Sequence, residues 1–232
     1  MHGISLRIAA IAALLLPAGG ASAASDVPQS PREWTFHLQL GGYLPDMDAE
    51  EGLSGRPFEQ VFGDDNRLLT QAGLERYVFD AFGTLGIGVS AGYAEFYGKG
   101  FFAEGPNAGE RSGDNTSFTV VPLQAFVAYR FDVPALAWSI PLVPYAKAGV
   151  GAWLWWTGGM SGQKAGFSYG GGLQLHLDYF DNRLANEFDR NIGVNNSYLY
   201  VDWAAWEVDG FGGDGFVLSD DGIVSFGLAL DF

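Results

Sequence analysis

IVSFGLALDF, residues Ile223–Phe232, decides the fold. Val224, Phe226, Leu228, Leu230 and Phe232 are large and apolar, whereas Ser225, Gly227, Ala229 and Asp231 between them are small or polar. An apolar period of two over ten residues is a strand with one greasy face and one compact face. In a water-soluble sheet the greasy face packs on a core. In a lipid-spanning barrel it meets acyl chains, and about nine to eleven residues suffice to cross.

The pattern recurs along the chain. Over 34–43, Trp34, Phe36, Leu38 and Leu40 alternate with Thr35, His37, Gln39 and Gly41. Over 69–82, Ala72, Leu74 and Val78 share a face with Arg76 and Glu75 lies opposite; the cation requires either an interfacial position or a β-bulge. Leu85, Ile87, Val89, Ala91 and Tyr93 form the outer face of a third strand, with Gly86, Gly88, Ser90 and Gly92 inside. Those small residues leave volume that large side chains of other strands must fill. A fourth strand, 117–131, sends Gln124, Phe126, Ala128 and Arg130 inward. A fifth, 142–156, sends in Tyr145, Lys147, Gly149 and Gly151. It ends in Trp153-Leu154-Trp155-Trp156, expected as an outer aromatic girdle. The sixth, reaching Tyr179, puts Ser168, Gln174, His176 and Asp178 inside, and the seventh, 196–209, puts Tyr200, Asp202 and Ala204 there.

Eight such strands predict an all-β fold, a transmembrane antiparallel up-and-down barrel. An even count places both ends on one side, the periplasm. The acidic, turn-rich loops 44–68, 99–116, 157–165 and 210–221 are then extracellular, and the connections 82–84, 132–141 and 181–195 periplasmic. In the last of these Leu184, Phe188 and Ile192 recur at four-residue spacing, which predicts a short periplasmic helix between strands six and seven.

The front of the 232-residue chain reads as a leader. Arg7, the apolar run 8–16 and Ala21-Ser22-Ala23 make a cleaved signal peptide over 1–23. A periplasmic lead-in at 24–33 follows, and the barrel occupies 34–232. There is no cysteine, hence no disulfide framework, thiolate metal site or lipoprotein anchor. A net charge of −15 disfavours nucleic acid as a partner. Aromatics at 15% and 34 glycines, with charged residues at only 17%, are unlike a disordered acidic chain and fit an interfacial girdle and curving strands.

The terminal strand with its final Phe resembles the assembly signal of outer-membrane barrels, in which Phe226, Leu228, Leu230 and Phe232 would be read by the barrel-assembly machinery. More widely, FGTLGIGVSAGY (82–93), PYAKAGVGAWLWW (144–156), YGGGLQLHLDYFD (169–181), NEFDRNIGVNNSYLYVDWAAWEV (186–208) and the terminal LALDF resemble small barrels of the OmpA/OmpX/OmpW architecture. They are most similar to a myxobacterial-type outer-membrane barrel family. The resemblance implies a bacterial outer-membrane location, with lipid and lipopolysaccharide as partners. It implies no substrate.

Among candidate site residues, the inward polar set His37, Glu75, Arg130, Lys147, His176, Asp178 and Asp202 stands out. An eight-stranded barrel is just wide enough to be filled by side chains, and isolated buried charge is costly, so these groups are expected to pair. They form a structural plug or, at lower weight, a gate. Catalysis is disfavoured because neither His37 nor His176 has a nucleophile beside it in sequence. Asp46–Glu51 begins like a calcium loop. Glu51 stands where that loop needs Gly, and Pro57 stands where it needs Glu, so no metal or other cofactor is expected. The chain reads as a monomeric, non-enzymatic barrel with a largely plugged lumen, in a structural or surface-interaction role. Passive OmpW-like uptake of small apolar molecules is the alternative and a barrel enzyme the third reading.

Overall fold

In the computed structural model, residues 32–50, 55–101, 106, 109–138, 140–180, 193–213 and 215–232 are described. The leader, nearly all of the lead-in and the helix expected within 181–192 lie outside the described residues.

Eight strands run in chain order: β1 (Trp34–Tyr43), β2 (Arg67–Asp80), β3 (Thr84–Phe101), β4 (Arg111–Arg130), β5 (Leu142–Thr157), β6 (Met160–His176), β7 (Asn196–Glu207) and β8 (Asp220–Asp231). Each pairs antiparallel with its neighbours. β8 returns to β1 in a register from Thr35↔Asp231 to Gly41↔Ser225, so the sheet closes with no free edge along that seam. We call the end carrying Trp34 and Phe232 the proximal rim and the opposite end the distal rim. At the proximal rim the Phe232 carbonyl accepts from the amides of Glu33 and Trp34, and the Phe232 amide donates to the Trp34 carbonyl.

Parity of the strands is as the alternation predicts. Leu38, Leu74, Ile87, Val89, Val127, Val150, Leu199 and Phe226 all stand exposed on the outside of the ring. A closed sheet offers these side chains no second layer, and their solvent is therefore lipid. No described helix is long and apolar enough to cross a membrane, and the crossing is made by strands. Arg76 sits opposite Trp34, the first residue of β1, with its guanidinium 5.6 Å from the Trp34 ring. A register shift follows between Tyr77 and Phe79. The rim position is the solution used: the shift lies beyond Arg76, which stays on the outward face with Ala72 and Leu74.

Several expectations need correction at the ends of strands. Much of 99–116 is strand, because β3 and β4 continue to Phe101 and back from Arg111. Residues 157–165 are not a loop: Gly158 and Gly159 make a two-residue turn, and Thr157 pairs with Met160. Beyond the lipid band an outward face has no reason to be apolar, so the alternation fades while the backbone ladder persists. β6 stops at His176, and 177–179 form a 3-10 turn that carries Asp178. Two short helices, α1 (Pro57–Phe62) and α2 (Val133–Trp138), lie in connections read as irregular. The aromatic run of β5 is divided. Trp156 faces out, but Trp153 is wholly buried and Trp155 packs inside against Phe118 and Phe216. Parity placed the two odd tryptophans inside, and only the girdle reading put them out.

Candidate functional site: the barrel interior

The interior is organised in layers from rim to rim. At the proximal rim Arg32 approaches Asp132 (3.3 Å), Asp231 (3.7 Å) and Asp80 (3.8 Å). Thr84 donates to Asp132 (2.7 Å). Thr35 and Tyr77 each lie 2.7 Å from the same Asp231 oxygen. None of these residues stood among the candidates. Inward parity marks Thr35 and Asp231, but Arg32 precedes the first strand, and Asp132 follows the fourth.

Above this layer, three of the predicted residues meet. Glu75 on β2 and Arg130 on β4 face each other across β3 and form a two-armed pair, each guanidinium nitrogen 2.6 Å from its own carboxylate oxygen. Glycine at 86 makes this possible, since a Cβ there would fall on Glu75 Oε1. His37 adds a third partner, its Nε2 lying 3.1 Å from Glu75 Oε2. The volume left by Gly88 is filled by the Phe126 ring, as the small inward residues of β3 required.

A second pair, Lys147 on β5 and Asp202 on β7, lies on the opposite wall at 2.5 Å, with the Asp202 side chain fully buried. Lys147 also reaches Gln39 (3.4 Å), Gln39 bonds Gln71 (2.7 Å), and Tyr200 donates to Gln39 (3.3 Å). The middle of the barrel thus holds two cations and two carboxylates in two neutral pairs, which is how charge survives away from bulk water. Between the pairs lies a cavity of about 50 Å³ bordered by His37, Gln71, Phe126, Lys147, Gln174 and Tyr200. That is room for a few water molecules.

His176 and Asp178 do not join this network. They lie toward the proximal rim, 3.6 Å apart, with His176 stacked on Tyr198 and bonded to Asn196 (3.1 Å). Folding also supplies the serine that sequence proximity lacked: Ser197 Oγ donates to Asp178 Oδ1 at 2.6 Å. Its hydroxyl is bonded to the carboxylate and not to the imidazole, so the trio is not a nucleophile–base pair. Of the remaining named residues, Phe226, Leu228 and Leu230 lie along the outward face of β8, and Phe232 follows its last residue.

The distal third of the interior is aromatic. Tyr43, Phe96, Phe118, Trp153 and Trp206 come from strands and Phe58 from α1, and all are buried with Leu69, Val120, Leu218 and Ile223. Ring contacts run from Trp153 through Trp206 (5.4 Å) and Tyr43 (5.1 Å) to Phe96 (6.0 Å) and Phe58 (5.4 Å). Inward parity is compatible with Tyr43, Phe118, Trp153 and Trp206, but none of these rings stood among the candidates, and Phe58 lay in an acidic loop.

A polar, charge-paired interior and an apolar exterior on one closed sheet reverse the arrangement of a soluble domain. This is a membrane-spanning β-barrel.

No protein-family model matches the barrel, and no curated protein does. Solved structures similar to it include Neisserial surface protein A, at 13% identity and TM-score 0.47, covering 89% of this chain and 100% of that one. Ail of Yersinia pestis in complex with the heparin analogue sucrose octasulfate gives 13% and 0.41, covering 87% and 99%. The N-terminal barrel domain of Pseudomonas aeruginosa OprF gives 13% and 0.38, covering 87% and 100%. The assignment above rests on the closed register and the inverted faces and draws nothing from these likenesses.

Proposed function

We propose that the barrel is a non-enzymatic, largely plugged outer-membrane protein with a structural or surface-interaction role. The observation that supports this reading is the middle of the barrel, where paired charges and packed side chains leave a cavity of about 50 Å³; a wider cleft of about 750 Å³, bordered by Asp48, Phe58, Trp206 and Asp220, lies at the distal mouth. In this reading residues 1–23 are removed as a signal peptide, the proximal rim with both termini faces the periplasm, and the distal connections face outward. The outward residues of β8 serve as the signal for the assembly machinery. Lipid and lipopolysaccharide surround a monomer that resembles myxobacterial-type barrels. His37, Glu75, Arg130, Lys147 and Asp202 hold the strands in register as the plug, with His176 and Asp178 fixing the proximal turn.

The deciding experiment is single-channel recording of the refolded mature protein in a planar bilayer, after heat-modifiable gel mobility has shown that the barrel is formed. The expected result is silence. Reproducible discrete steps would overturn the plugged reading and make Arg130 and Lys147 pore-lining residues. The alternative, OmpW-like passage of small apolar molecules, draws its support from the aromatic lining of the distal mouth. It predicts flux of an uncharged solute into vesicles without ion conductance.

A further inference from the structure

A piece of loop covers part of the distal mouth, beside a cleft of about 750 Å³ bordered by Asp48, Phe58 and Trp206. Tyr43, Phe96, Phe118, Trp153 and Trp206 are rooted on strands, and each exposes 3% of its surface or less. Into the cup they form comes Phe58 of α1, its ring 5.4 Å from Phe96 and 5.8 Å from Phe118. Phe58 is the one buried residue of that helix. Six residues are too few to hold a helix by themselves, so α1 keeps its shape through what it touches.

Beside Phe58, Phe62 packs against Phe118 (6.2 Å), and the other contacts that hold the helix are polar. Asp48 accepts the amides of Phe58 (2.8 Å) and Glu59 (2.9 Å), capping the helix from a neighbouring turn. Arg67 and Arg111 donate to the carbonyls of Phe62 (3.0 Å) and Gln60 (3.1 Å). The Val61 carbonyl seats on Gly98, where any Cβ would collide with it. Gly55 and Gly63 bracket the helix, both at φ 85°, a backbone region that L side chains avoid. The segment is a stopper with a bend at each end, held by Phe62 on the edge of the cup and latched by bonds that water can replace.

We infer that the aromatic cup is a binding site for an uncharged planar aromatic molecule of one or two rings, occupied in the free protein by Phe58. Entry of the ligand displaces α1, which pivots at Gly55 and Gly63. The cup offers ring faces and edges, its one phenol, Tyr43, is already bonded to the Leu218 carbonyl (2.8 Å), and its open polar group is the buried Trp153 Nε1–H, which has no hydrogen-bond partner among the described residues. It is therefore selective for flat molecules that are apolar or carry a single acceptor. Exchanging one ring for another leaves the buried apolar area nearly unchanged, so the strength of the latch sets the apparent affinity. The site needs no path through the barrel. A conducting barrel would overturn the proposed function and leave this site standing, and a silent barrel that binds nothing would do the reverse.

The test uses the full mature barrel in lipid nanodiscs, naphthalene as the probe, and indole N–H resonances of tryptophan as the readout. Saturable shifts of Trp153 and Trp206 are expected, with outward Trp34 and Trp203 moving only in linear proportion to probe dissolved in the lipid. Asp48→Ala, which uncaps α1 without touching the cup, is expected to tighten binding about two- to thirtyfold. Asp48→Asn, which keeps an acceptor for only one of the two amides, should fall between Asp48→Ala and wild type. Phe58→Leu shortens the stopper and should also tighten binding. Absence of saturable shifts in wild type overturns the proposal. So does binding confined to Phe58→Leu, which would mark a man-made cavity, and so does an affinity that Asp48→Ala leaves unchanged.

Discussion

Arg130 and Glu75 meet across an intervening strand, each guanidinium nitrogen 2.6 Å from a different carboxylate oxygen, because the strand between them carries glycine where they pass. The pair bonds β2 to β4 over the top of β3. It is a cross-brace as much as a charge pair, and it ties the fate of two ionised groups to a residue that has no side chain.

Replacing that glycine should therefore act like deleting the ion pair. In Gly86→Ala the new methyl falls on Glu75 Oε1 and forces the carboxylate off the guanidinium. Destabilisation of about 3–5 kcal/mol is expected, the cost of leaving a buried charge without its partner. Urea unfolding of the refolded protein in lipid vesicles checks it. A loss within experimental error would mean that the carboxylate moves aside without giving up the guanidinium.

Removing one charge should cost more than removing both. Glu75→Gln strands Arg130 and is expected to lose about 3–5 kcal/mol, whereas Glu75→Leu combined with Arg130→Met should recover most of that loss. A double-mutant cycle reads the coupling. Recovery by the double variant would separate the desolvation cost of the charges from the brace they form.

The two readings of the β5 tryptophans differ in energy. Trp153 is wholly buried beside Trp206, while Trp156 is 44% exposed on the lipid side. Trp153→Ala should cost about 3–5 kcal/mol by leaving a cavity, and Trp156→Ala well under half of that. Equal losses in equilibrium unfolding would restore the girdle reading for both.

Depth in the bilayer gives a further test. Phe226 is 66% exposed near the middle of β8, whereas Leu230 pairs with Phe36 beside the proximal rim. Arginine at 226 should cost about 2–4 kcal/mol and at 230 about 0–1 kcal/mol. The same cost at both sites in vesicle unfolding experiments would be inconsistent with this placement of the lipid band.

The alternation of Val224, Phe226, Leu228, Leu230 and Phe232, repeated in seven other stretches, determined the barrel, its strand count and the inward side of His37, Glu75, Arg130, Lys147 and Asp202. Period two is a local property of the backbone, and it is written wherever lipid lies on one side. What each inward group meets was decided only by the fold. Registers such as Glu75↔Gly88 and Ala128↔Lys147 pair distant stretches that no local pattern links. The sequence therefore named the charges, and closure of the ring sorted them into Glu75–Arg130 and Lys147–Asp202 while sending Asp178 to Ser197. Phe58 and Arg32 were beyond the reach of periodicity because neither lies on a strand; each is placed by the end of the barrel it fills.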